Sequence, residues 1–88
     1  MNNLIIMTFD VLSVSNKQIA LTGTSNLIYK ICNPTKEMQL KAKKNEVIAV
    51  FIDEFIHNED KTINLLTKEI MTFKELKNKG YLWELKKR

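Results

Sequence analysis

Between Asn3 and Val14 the chain alternates: Ile5, Met7, Phe9 and Val11 fall on one side, Ile6, Thr8 and Asp10 on the other. A period of two is that of a β-strand with one face buried, and no helix can use it. The pattern then recurs. Ser15-Asn16-Lys17 has turn composition, and Ile19 and Leu21 share a face in the run Gln18 to Thr22. Gly23-Thr24-Ser25-Asn26 forms a second turn, followed by Leu27, Tyr29 and Ile31 in register up to Cys32. Asn33-Pro34 ends the third run, because proline has no amide to give to a ladder. The first 33 residues therefore predict a three-stranded antiparallel meander.

The middle of the chain carries conflicting signals. Over residues 35–44 Met38, Leu40 and Ala42 alternate with Glu37, Gln39, Lys41 and Lys43, yet these residue types favour helices. Residues 46–57 show helical spacing of Val47, Ile48, Phe51, Ile52, Phe55 and Ile56, although Val-Ile-Ala-Val-Phe-Ile is strand composition. The flanks decide for strands. Lys44-Asn45 reads as a turn between two of them, and Asn58-Glu59-Asp60-Lys61 as another. A strand over 46–57 is long for a small domain and is expected to bend near Asp53-Glu54.

Thr62 to Leu66 reads as a strand, with a break at Thr67-Lys68-Glu69 before a short Ile70-Met71. Thr72-Phe73-Lys74-Glu75 has the spacing of a capping box, with Phe73 and Leu76 on one helix face. Gly80 stands where a helix stops, after Lys77 and Lys79. Tyr81 to Leu85 resumes alternation, with Tyr81, Trp83 and Leu85 together. The expected fold is α+β and mainly antiparallel β in one domain over 1–88. The meander extends into a small, partly open barrel-like sheet with one short helix near 72–79. The alternative is a β-meander followed by two helices, over 35–57 and 61–79.

The chain is poor in the residues that perform chemistry: one His, one Cys, two Gly and one Pro. Asp53, Glu54 and His57 would converge only on a helix, and even then three ligands fall short of a closed zinc site. On a strand they are a polar end leading into a turn. Cys32 and His57 are the types of a thiol nucleophile and its base, but no spacing links them. Asp10, Asp53, Glu54, Glu59 and Asp60 read as solvated turn and edge charges before they read as a catalytic or Mg²⁺-binding pair. Two isolated glycines cannot make a phosphate loop. No catalytic residue, metal or cofactor is therefore expected.

Charge is segregated along the chain. Residues 1–44 carry net +4, residues 45–60 net −5 and residues 61–88 net +5. Separated blocks of this kind suit electrostatic docking to another protein. The expected partner-binding residues are Lys41, Lys43 and Lys44, Asp53 and Glu54, and Lys86 and Lys87. The expected role is that of a small non-enzymatic accessory or inhibitory protein. Abundant Lys, Ile and Asn, with Arg88 the single arginine, point to an AT-rich genome such as that of a phage or other mobile element. The alternative is a basic small barrel that binds nucleic acid, with Tyr81 and Trp83 stacking on bases amid Lys74, Lys77, Lys86, Lys87 and Arg88. Scarce arginine weighs against it, since arginine makes the bidentate phosphate and guanine contacts. The lone cysteine, the absence of a basic leader before Leu4, and apolar runs far below ~18 residues lead to the expectation of a cytoplasmic protein with no membrane span.

Folding is expected to need no metal. Adding EDTA should leave the melting temperature unchanged, and a clear fall would show that Asp53, Glu54 and His57 hold a structural ion.

Overall fold

The three alternating N-terminal runs form β1 (Ile5–Val14), β2 (Gln18–Thr22) and β3 (Ile28–Cys32), paired antiparallel in sequence order. They belong to a computed structural model that describes residues 5–23 and 25–80. Helix α1 (Lys36–Lys41) follows, then β4 (Val47–His57), β5 (Ile63–Thr72) and α2 (Phe73–Asn78). The strands close into a barrel in the order β1-β2-β3-β5-β4, with β4 returning to β1. The expected barrel-like sheet is thus present, and it is closed. Every seam is antiparallel except β3 with β5, where only Tyr29–Ile63 and Lys30–Asn64 pair, in parallel.

The barrel interior is filled from each strand by alternate residues. Phe9 and Val11, Ile19 and Leu21, Tyr29 and Ile31, Ile48, Val50 and Ile52, and Ile63, Leu65 and Ile70 form one cluster. The rings of Phe9 and Tyr29 meet at 4.8 Å and 52°, a tilted pairing that suits their quadrupoles.

β4 is the exception to one-sided burial. Ile48, Val50 and Ile52 point inward, while Ala49 and Phe51 are buried on the outer face with Met71 and Leu76. Both periodicities seen over 46–57 follow from this. A strand covered on two faces has no polar alternation and imitates a helix. The two-helix alternative is overturned, since 47–57 and 63–72 are strands. The expected bend is also present. Pairing of β4 with β5 shifts between Phe51 and Glu54, leaving Asp53 as the extra residue on β4 and Lys68 on β5. Thr67 anchors the irregularity: its hydroxyl donates to the Phe51 carbonyl at 2.6 Å and accepts the Glu69 amide at 3.2 Å. The composition of 67–69 therefore marks a bulge inside one strand, where the sequence suggested a break between two.

Residues 35–44 correct the strand expectation. Thr35 caps α1, its hydroxyl accepting the Met38 amide at 3.1 Å. The helix buries Met38, and Ala42 just beyond it, four residues apart, at the mouth of the barrel, and leaves Leu40 74% exposed. The i,i+2 alternation was thus incidental to an i,i+4 contact. It is helix propensity and the cap that hold here.

α2 has the expected capping box. Thr72 Oγ1 accepts the Glu75 amide at 3.1 Å, and Glu75 Oε1 accepts the Thr72 amide at 3.2 Å. Leu76 is fully buried over Ala49, Phe51 and Met71, but Phe73 is 48% exposed, so the two do not share a buried face. Gly80 adopts φ 82°, the left-handed backbone that favours glycine after a helix. The strand expected over Tyr81 to Leu85 lies outside the described residues.

Thr72→Ala should lower unfolding free energy by about 0.5–2 kcal/mol in urea, because a first-turn amide loses its acceptor. Leu76→Ala should cost about 2–5 kcal/mol through lost transfer energy and a cavity over β4. A neutral Leu76→Ala would show that α2 does not pack on the barrel in solution.

Candidate functional site

Strand directions assign every loop to one end of the barrel. The β1–β2 turn, α1 and the 43–46 connection lie at one end. The β2–β3 and β4–β5 loops lie at the other. The charge blocks of the chain become blocks along the barrel axis. Lys17, Lys36, Lys41, Lys43 and Lys44 sit at the α1 end. Asp53 and Glu54 lie on the half of β4 toward the opposite end, where the β4–β5 loop adds Glu59, Asp60 and one lysine, Lys61, and Lys30 of β3 lies near Asp60. Val47 to Asp53 spans roughly 20 Å at ~3.3 Å per residue, so the lysines and carboxylates named from sequence do not form one site.

The members of that set differ in character. Lys43, Lys44, Asp53 and Glu54 are exposed, and none makes an ion pair among the described residues. Lys41 is engaged within the fold. Its Nζ donates to Glu37 Oε2 at 3.4 Å, Glu75 Oε2 at 3.3 Å and the Ile70 carbonyl at 3.3 Å. It therefore ties α1 to α2 and to β5. Partial burial opposes the charge on Lys41, but Glu75 and then Glu37 outweigh it, and its pKa is raised. Glu75 is held below the usual glutamate value, first by the Thr72 amide; burial opposes this, and Lys41 adds to the lowering. Lys86, Lys87, Tyr81 and Trp83 lie outside the described residues.

The chemical candidates are dispersed. Cys32 pairs with Gln18 toward the α1 end, whereas His57 pairs with Ile63 near the other end. Asp53 is the bulged residue, Glu54 sits opposite Leu66, and no cluster of three metal-ligating side chains occurs among the described residues. Asp60 serves the loop: its carboxylate accepts the Thr62 hydroxyl at 2.6 Å and amide at 3.0 Å, which lowers its pKa. A surface cleft of about 170 Å³ is lined by Thr8, Phe9, Asp10, Thr22, Gly23 and Val47 and contains one carboxylate.

Four exposed apolar residues toward the α1 end were not singled out as site residues from sequence: Leu12, Leu40, Val47 and Phe73; Leu27, Ile56 and Leu66 are exposed toward the other end. Val47 of β4 and Phe73, the first residue of α2, flank the last β4–β5 pair, Ile48–Thr72. The available signal was Leu40 itself, a leucine on the lysine face of a capped helix. No helix among the described residues is long and apolar enough to cross a membrane. Comparison with known protein families, characterised proteins and solved structures finds no match.

The Glu75 site predicts a pH dependence. A lowered carboxylate pKa contributes stability in full above the unfolded value, about pH 4, and loses it as pH falls through the folded value. Between pH 7 and pH 3, wild-type stability in urea should therefore fall more steeply than that of Glu75→Gln. Parallel pH profiles would remove the role assigned to Glu75. Raised Lys41 acts at the other extreme, losing its contribution only above about pH 10.

Proposed function

We propose that this protein is a small non-enzymatic binding module whose partner is another protein, in an accessory or inhibitory role. The observation that carries the reading is the uneven sorting of surface charge between the two ends of a closed barrel, basic at α1 and net acidic toward the β4–β5 loop, where Asp53, Glu54, Glu59 and Asp60 outnumber Lys30 and Lys61. Such polarity orients an approaching protein and raises its encounter rate.

Nucleic acid is the weaker reading. Small five-stranded Greek-key barrels of the OB type bind oligonucleotides on the face of strands 2 and 3 and on neighbouring loops, but architecture alone does not assign function. Here the outer face of β2 and β3 carries Gln18 with Cys32, Ala20 with Lys30 and Thr22 with Ile28. Phe9, Tyr29 and Phe51 are buried, and Phe55 packs against the core. Among the described residues that face has no aromatic for stacking, and the β4–β5 loop beyond it carries Glu59 and Asp60 with Lys61.

Affinity capture from the native host should recover one dominant protein in fixed ratio, with the absorbance of protein alone. Reversing one of the two charge pairs, Lys43 with Lys44 or Asp53 with Glu54, should slow its association by about tenfold at low salt while the fold survives. Recovery of nucleic acid alone, or turnover of a small molecule, would sink the proposal.

A further inference from the structure

We infer that the α1 end is the docking surface, and that its occupant is an acidic protein segment carrying apolar side chains. This rests on the protein-binding reading above and names the partner's chemistry. Two observations converge at that end. The first is charge. Glu37 and Glu75 are both bound by Lys41, and Asp10, Glu46 and Glu69 are the other described carboxylates at or beside this end. Lys36, Lys43, Lys44, Lys74 and Lys77 are exposed and make no ion pair among the described residues, leaving a strong positive excess that calls for an anionic partner.

The second is apolar exposure within the same region. Leu40, at 74%, is the most exposed large apolar side chain described, and Lys36 stands one helical turn before it. Val47 and Phe73 add two more apolar side chains beside the capping box, with Lys74 and Lys77 on the same helix as Phe73. Apolar anchors rimmed by charge are how protein segments are recognised. A nucleic acid would be served by the lysines and by the exposed ring of Phe73, but would gain little from Leu40 and Val47, which offer no ring for a base to stack on. The Lys41 bridge links α1, which carries Leu40, to α2, which carries Phe73.

The test uses the full chain and three fluorescent probes of matched net charge. They are a short peptide of Asp and Glu interspersed with Leu and Phe, the same peptide with Ser in place of Leu and Phe, and a single-stranded oligothymidine. The Leu/Phe peptide should bind at least about tenfold more tightly than the Ser peptide and the oligothymidine. Leu40→Ser with Phe73→Ser, and separately Lys43→Glu with Lys44→Glu, should each weaken it by about tenfold or more. Asp53→Lys with Glu54→Lys should leave it no weaker. Circular dichroism on each variant confirms the fold, and Leu40→Ser alone, fully on the surface, serves if the double variant unfolds. Equal binding of both peptides, tighter binding of the oligothymidine, or indifference to the α1-end variants overturns the inference. Should the host partner bind through Asp53 and Glu54 while ignoring these variants, this inference fails and the protein-binding reading stands. Should no host protein bind at all, the reading itself fails.

Discussion

Burial of β4 on both faces is the constraint on which the rest of the structure depends. Its inner residues, Ile48, Val50 and Ile52, complete the barrel core, and its pairing with β1 and β5 closes the cylinder. Its outer residues, Ala49 and Phe51, need cover, and Leu76 of α2 supplies it. The capping box at Thr72 turns the chain out of β5 directly into that covering helix. A small domain has little apolar surface to spare, and a strand that serves two cores at once raises the buried fraction of a short chain.

The two helices serve the two cores separately. α1 plugs the barrel mouth with Met38 and is followed by buried Ala42, while α2 covers the outer face of β4. Lys41 joins them through Glu37, Glu75 and the Ile70 carbonyl. The same lysine that consolidates this end also engages two of its carboxylates, Glu37 and Glu75. The surrounding lysines are left to face solvent beside Leu40, Val47 and Phe73. The surface available for recognition is in this sense a by-product of how the helices are held.

Much of the fold was legible in the chain because it rests on local rules. Alternation over 5–14, 18–22 and 28–32 marks the meander, Thr72 with Glu75 marks the start of α2, and Asp53 lies at a bend that a long strand requires. The misreadings share one cause. Met38, Leu40 and Ala42 alternate in sequence, but only Met38 and Ala42 meet the core. Phe73 and Leu76 are spaced for one face, but only Leu76 finds a partner surface. In each case periodicity states which residues are able to share a face, and the neighbouring element decides which of them are covered. The candidate site was legible in its charges and not in its apolar part. Lys43, Lys44, Asp53 and Glu54 are exposed as expected, whereas Lys41 is drawn inward by Glu75, a residue 34 positions along the chain.

By itself the sequence determined the strand-rich class, the turns, the capping box and the segregation of charge into blocks, since each depends on residues within one turn or one strand of each other. Tertiary structure alone decided that β4 returns to β1 and closes the barrel, and that charge blocks along the chain become opposite ends of a cylinder. It also decided that Lys41 is structural while Lys43 and Lys44 make no ion pair among the described residues. Those outcomes depend on pairings across long stretches of chain, where the free energy lies in burying shared apolar surface, and no local pattern encodes which surfaces will meet.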